Sequence, residues 1–452
     1  MKLRRISGFQ KQICFSDLDS NFEAHLSSFY KTDLGKIYKA LPWDDLVKVF
    51  ALKDHNKGPS CIFSPRGKIA LMFLKHYGCC SDRKLIEQLN ANIHYQIFCD
   101  IVIPPGCGIT NFKIVSQLRC ELASDLDIAS IQEVLAGYWR KYCNNKDSVV
   151  CDATCYESYL RYPTDVKLLY EAVVWNYDWL KRLNRQIGKS TLRSKIGKWK
   201  RRYGSYSKSK RPSKGQTRSI IRGLLRLLTK IDKALQEVEC ESYDFTLVAH
   251  YWQRRMATSK IIKQQRLKFY EDKKPENRIV SLDRPYIGPI VRGKEIKKVE
   301  FGAKVHKLQV GGISFIEHLS FDAFNEGSRL KQTIYTAQQL MHTKVKIIGA
   351  DAIYATNENR KFVSRNNIKT DFKRKGKPSK HHHHFNVLAR MITKERASAM
   401  EGSFGTDKEH FLLNKIKART QTTETLWIFF GIHTANALKI GRRMTLFKQK
   451  AA

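Results

Sequence analysis

Between Lys344 and Phe362 the chain reads KVKIIGADAIYATNENRKF. An apolar run of strand length ends in one aspartate, Asp351, and a polar turn then opens into a helical pattern. A strand passing through a short turn into a helix is a building unit of α/β folds, so this stretch points to a sheet covered by helices. A carboxylate at the end of a buried strand is costly unless something pairs with it, because its charge loses water. Asp351 therefore needs partners from elsewhere in the chain.

Two other acids stand in comparable places. SVVCDAT is a short β-type run ending in Asp152, and a late helix, ERASAMEGSFGTDKEHF, carries Glu401. Between the aspartates lie a long helical insertion and two β-runs, VEFGAKVHKLQV and GISFIEHLSFD, whose connection through GG predicts a hairpin. A helix (NEGSRLKQTIYTAQQLMHT) precedes the strand with Asp351, and a short run, IKTDFKRK, follows it. Carboxylates at two strand ends and on a later helix can converge over one end of a mixed sheet. Each taken singly serves equally well as a strand-end or capping residue. Together they repel one another unless a divalent cation lies among them, and oxygen-only ligation suits Mg²⁺ or Mn²⁺.

Charge narrows the partners. The 452 residues hold 82 Lys and Arg against 42 Asp and Glu, a net +40. Such a surplus suits a polyanion, either nucleic acid or an anionic membrane surface. No run approaches the length that spans a bilayer, and MKLRRISGFQ lacks the apolar core of a signal peptide, so nucleic acid in the cytoplasm is the expected setting. From Lys181 to Arg218 there is no acid, and Trp199, Tyr203 and Tyr206 are interleaved with bases that include Lys198, Lys200, Arg201 and Arg202. Cations there can neutralise phosphates while aromatic faces accept bases; a solvated basic helix is the plainer alternative. The next segment, SIIRGLLRLLTKIDKALQEVE, places Ile221, Leu224, Leu228, Ile231, Leu235 and Val238 on one helical face.

Near the N-terminus, FSPRGKIALMFLKHYG and SDRKLIEQLNANIHYQIF read as two helices joined by GCCS, with Ser81 as a cap. They fit a DNA-reading helix-turn-helix or plain helical packing and dimerisation. The eleven cysteines show neither C-x-x-C spacing nor a disulfide framework and read as reduced thiols. Cys151 and Cys155 flank Asp152 without the second pair that zinc requires. The histidines at 381 to 384 read as a loop near phosphate, and TLWIFFGIHTANALKI as a core-closing helix.

DATCYESYLRYPTDVKLL, IGPIVRGKEIKKVEFGAKVHKLQV, LSFDAFNEG, GADAIYATNENRKF and AMEGSFGTDK together resemble successive blocks of the DDE transposases of bacterial insertion sequences, in the group numbered five. The similarity runs from Leu41 to Ile440 and includes LPWDDLVKVF. It implies a helical N-terminal domain over residues 1–145 and a ribonuclease-H-like catalytic domain over 146–450, interrupted by the basic insertion at about 170–285. It also implies a triad of Asp152, Asp351 and Glu401 holding two divalent ions, Mg²⁺ with Mn²⁺ as substitute. Lys408, seven residues after Glu401, matches a phosphate-holding lysine. The pattern's arginine should stand four residues before the glutamate, but Ala397 is there and Arg396 precedes it, a rotation of about 100° on a helix. Asn357, Asn359 and Arg360 open the helix beyond Asp351, where they can approach DNA, with capping the alternative for Asn357. Double-stranded DNA, as terminal inverted repeats and target, and a homodimer assembled on it are the implied partners.

Overall fold

The computed structural model describes residues 22–54, 61–104, 106–241, 249–291, 299–373 and 382–451. The N-terminal decapeptide, the text RGKEIKK and His381 lie outside the described residues. The chain divides into two units. The first takes in Met1–Tyr159, Ala303–Ser320 and Phe324–Ala452, and the second Leu160–Gly302 and Phe321–Ala323.

The first unit begins with helices α1 (Phe22–Lys31), α2 (Asp33–Lys39), α3 (Trp43–Val49), α4 (Pro65–Tyr77), α5 (Asp82–Ala91), α6 (Ile93–Phe98), α7 (Ile114–Ser124) and α8 (Ile128–Trp139), followed by strand β1 (Ser148–Ser158). Local chemistry sets their starts. Ser64 caps α4 ahead of Pro65, accepting from the Gly67 N–H at 3.0 Å, and Ser81 caps α5 through the Lys84 N–H at 3.2 Å. α4 is buried along most of its length, with Lys75 paired to Asp82 at 2.7 Å.

The second unit contains α9 (Asp165–Gln186), α10 (Ile196–Lys208), α11 (Lys214–Glu241) and α12 (Ala249–Tyr270), and opens its β structure with β2 (Pro289–Val291). The apolar face read on α11 is buried at Leu224, Leu228, Ile231, Leu235 and Val238, packed with Leu169, Val173 and Leu180 of α9; Ile220 is buried where Ile221 is only partly so. Arg255 of α12 bridges Asp232 at 2.6 Å and Glu239 at 2.7 Å inside this bundle. The aromatic residues of the basic run are each engaged within the bundle, a packing role that the sequence reading did not give them. Tyr203 stacks on Tyr170 with centroids 3.8 Å apart, Tyr206 bonds Thr217 at 3.1 Å, and Trp199 covers Gly223. A Cβ at Gly223 would sit 1.7 Å from the indole, so that glycine exists for the indole. Lys198, Lys200, Arg201 and Arg202 remain exposed, Arg202 with its guanidinium 4.8 Å from the Trp199 ring.

β3 (Val299–Val310) starts in the second unit against β2 and continues in the first, where it turns through Gly311 and Gly312 into the antiparallel β4 (Ile313–Ser320). Both glycines have positive φ, +53° and +80°, as the predicted hairpin requires. A 3₁₀ turn (Glu326–Arg329) leads to α13 (Leu330–Met341), β5 (Ile347–Gly349), a second 3₁₀ turn (Ala352–Tyr354), α14 (Asn357–Arg365), β6 (Lys369–Thr370), α15 (His382–His410), β7 (Lys415–Ile416) and α16 (Gln421–Ala451). The sheet of the first unit runs β3-β1-β5-β6, with β4 on β3 and β7 on β1; β1 is parallel to β5 and β7, and β5 to β6.

α16 is the hub of this unit. Its Phe430 meets Phe73 of α4 edge-on at 4.9 Å, and Trp427 meets His76 at 5.3 Å. The N-terminal helices thus pack on α16 and fall with the sheet in the first unit. His382 already belongs to α15, so the histidine tract is helical from that residue onward rather than a loop. Among the described residues no helix is long and apolar enough to cross a membrane.

Candidate active site

Parallel pairing of β1 and β5 sets the site. Val150 stands opposite Gly349, and Asp152 and Asp351 each follow two residues later on their own chains. The two carboxylates are therefore delivered side by side at the C-terminal end of β5, the place where open α/β sheets bind ligands. Asp152 is still within β1 and half-buried, and its Oδ1 accepts from the Ala153 N–H at 2.8 Å. Asp351 lies past the strand end, where its Oδ1 accepts from the Ala352 N–H at 2.7 Å and caps the 3₁₀ turn. Its side chain is 58% exposed, so Asp351 carries no burial cost that demands a partner. The desolvated acid is instead Asp152. Burial pushes its pKa up, the Ala153 N–H opposes that, and the like charges of Glu326 and Asp351 add to the rise while Arg396 offsets it.

α15 brings Arg396 to this pair despite the one-residue shift. Its Nη2 is 3.9 Å from Asp351 Oδ1, and its Nε is 3.6 Å from Asp371 Oδ2. Gly349 makes this approach possible, since a Cβ there would lie 2.9 Å from Ile392 Cγ2 and 3.2 Å from Val150 Cγ1. On the same helix Lys408 donates to Thr154 Oγ1 at 3.3 Å, on the β1 face that Asp152 shares. Glu401 is exposed, and no group of three His, Cys, Asp or Glu able to hold a metal occurs among the described residues. The structure unites Asp152, Asp351 and Arg396 and sets Lys408 beside the same strand, with Glu401 exposed on the helix that carries Arg396 and Lys408. Cys151 and Cys155 are both buried and stand four residues apart along the extended strand β1, too far to share one ion.

The helix after Asp351 is capped by Thr356, which accepts from the Asn359 N–H at 3.2 Å, so Asn357 is not the cap. Asn359 is 4% exposed and turned inward. Its Nδ2 donates to Gly327 O at 2.6 Å and Tyr354 O at 2.9 Å, tying the two 3₁₀ turns together in place of the DNA contact expected from sequence. Arg360 donates to Ala355 O at 3.0 Å and lies over Phe372, beside a groove of about 890 Å³ rimmed by Lys361, Arg365 and Lys369.

Other side chains at the site escaped sequence reasoning. Glu326, within LSFDAFNEG, acts on Asp152 from the first 3₁₀ turn and pairs with Lys304 at 2.7 Å. Tyr354 is anchored through its hydroxyl to His306 Nε2 at 2.7 Å, and His306 Nδ1 lies 2.9 Å from Glu317, which also takes Arg329. This buried network fixes the turn that Asp351 caps.

The donor set fits a hard divalent cation. Mg²⁺ is commonly held by one or two carboxylates with substrate phosphates and water completing its shell, so Asp152 and Asp351 meet the protein's share. Like charges held together raise the energy of the cation-free state. A raised Asp152 pKa means that its ionisation disfavours the fold as pH rises through that pKa. Asp152→Asn is accordingly expected to raise the Tm at pH 7 in EDTA and to remove part of the Tm gain given by Mn²⁺. Calorimetric scans of both proteins check this, and a lower Tm for the variant in EDTA would contradict it.

Residues 348–432 match the family model described as "Transposase DDE domain". The match includes Asp351, Arg396, Glu401 and Lys408 and begins after Asp152. No curated protein and no solved structure matches the chain.

Proposed function

We propose that the chain is a DDE transposase of the insertion-sequence group numbered five, which binds the terminal inverted repeats of its element, cuts them and joins them to target DNA as a dimer. The observation that carries this reading is the shared rung of β1 and β5, which sets Asp152 beside Asp351 at the head of a matched transposase domain. That family implies a ribonuclease-H-like fold, and the mixed sheet flanked by helices agrees with it.

Asp152 and Asp351 would hold two divalent ions, Mg²⁺ or Mn²⁺, whose chemistry is to activate a water or a 3′-hydroxyl and stabilise the leaving oxygen at phosphorus. The protein's own part is orientation and charge. The Ala153 and Ala352 N–H groups each take one carboxylate oxygen and leave the other free. Arg396 and Lys408 offset phosphate charge, while Glu401, exposed on the same helix, is the third carboxylate. Exposed Lys198, Lys200, Arg201 and Arg202 supply phosphate contacts and hence a steep salt dependence of binding.

The test is cleavage and joining of a labelled fragment ending in the element's own repeat, with Mg²⁺, Mn²⁺ or EDTA. Metal-dependent joining is expected. Binding without cutting would instead indicate a decayed or domesticated binder, and cutting without joining a nuclease.

A further inference from the structure

Asp371 was assigned no role by its sequence, yet it is the carboxylate most tightly built into the site. It follows β6 and is 4% exposed. Its Oδ1 accepts from the N–H of Ala350, the residue before Asp351, at 3.2 Å, and its Oδ2 from the Thr393 hydroxyl at 3.3 Å. Thr393 stands three residues before Arg396 on α15, on the same helical face. Asp371 thus touches both the backbone that delivers Asp351 and the helix that delivers Arg396.

The guanidinium between these acids is not closed onto either. Nε stops 3.6 Å from Asp371 and Nη2 stops 3.9 Å from Asp351, and the buried Nε has no hydrogen-bond partner. A buried donor left open is unfavourable, and a shift of a few tenths of an ångström toward Asp371 would satisfy it. The opposing pull comes from Asp351.

We propose that Arg396 is the counter-ion of Asp351 in the cation-free protein, and that Asp371 is the positioning carboxylate that receives the guanidinium when a divalent cation takes its place. The proposal rests on the reading of Asp152 and Asp351 as the cation-binding pair. Asp371 makes the exchange inexpensive because Arg396, already 3.6 Å from it, keeps a carboxylate partner when it gives up Asp351. Cation binding then also sets the arginine in the position from which it meets phosphate.

The experiment is Mn²⁺ titration of the full-length, DNA-free protein by paramagnetic resonance. Arg396→Gln removes the competitor and is expected to tighten binding by about five- to tenfold. Arg365→Gln, an equal charge change at an exposed site on α14, should alter it by less than about twofold. Asp371→Asn is expected to weaken binding severalfold, and that loss should vanish when Arg396→Gln is also present, because it acts through the arginine. Equal effects of Arg396→Gln and Arg365→Gln would reduce the role to net charge and overturn the proposal. So would an Asp371→Asn loss that persists without Arg396. Should Asp371→Asn fail to fold, the comparison of the two arginine variants decides alone. Wild-type protein that binds no Mn²⁺ would overturn the cation-site reading itself, a separate failure from either.

Discussion

Asp351→Asn is expected to slow strand cleavage at least ~10³-fold while DNA affinity changes by less than about twofold. The size follows from losing a charged ligand where several kcal/mol of transition-state charge stabilisation depend on it. The fold should be spared, because an asparagine oxygen can still accept the Ala352 N–H that the carboxylate accepts at 2.7 Å. Affinity should be spared because it rests on the lysines and arginines of a chain with net charge +40. Single-turnover cleavage of a labelled repeat end, alongside a binding titration in EDTA, measures both. Cleavage retained within about tenfold would remove Asp351 from the chemistry. Glu401→Gln in the same assay addresses the exposed glutamate: a loss equal to that of Asp351→Asn would make Glu401 the third working carboxylate, and a mild loss would leave two as the working set.

What was legible in the sequence is what local chemistry determines. The Ser81 cap, the Gly311-Gly312 hairpin, the helix beyond Asp351 and the long helix with Glu401 follow from short-range pattern, and the structure has all four. Burial is a different kind of quantity, set by what a distant segment places on top. Asp351 reads as the acid needing a partner because it follows an apolar run, yet β5 ends at Gly349 and the side chain emerges into solvent, while Asp152, inside β1, bears the desolvation. Trp199 and Tyr203 read as base-stacking faces because they alternate with lysine and arginine; nothing in that alternation says that Gly223 and Tyr170 wait beneath them. Arg396 looked misplaced by helical arithmetic. Its reach depends on how closely α15 crosses β5, which a glycine at 349 decides. Asp371 was out of sight for the same reason, since its importance comes from two segments it meets only in the folded chain.

The largest expected effect on stability lies below the site. His306 and Lys307 are successive residues of β3, both fully buried, at the point where pairing with β4 skips Glu317. Lys307 Nζ meets Asp407 Oδ2 at 2.5 Å and Ser403 Oγ at 2.7 Å, and the Tyr156 hydroxyl donates to the same Asp407 oxygen at 2.6 Å. Burial pulls the Lys307 pKa down and Asp407 pulls it back, which marks the pair as desolvated. Removing one ion of such a pair strands the other, so Lys307→Met is expected to destabilise the protein by about 3–5 kcal/mol. Lys307→Met combined with Asp407→Leu strands neither charge and should recover most of that loss, because paired buried ions gain little over apolar packing. Urea denaturation of the single and double variants gives the comparison, and a single-variant loss below about 1 kcal/mol would show that water reaches the pair. The functional consequence separates from the thermodynamic one. Asp407 and Ser403 lie on α15 with Arg396 and Lys408, and Lys307 and Tyr156 lie on β3 and β1, so this network holds the helix in register on the sheet. A double variant that regains stability but cleaves poorly would show that the pair is kept for the position of α15, where an apolar contact could supply stability but not register.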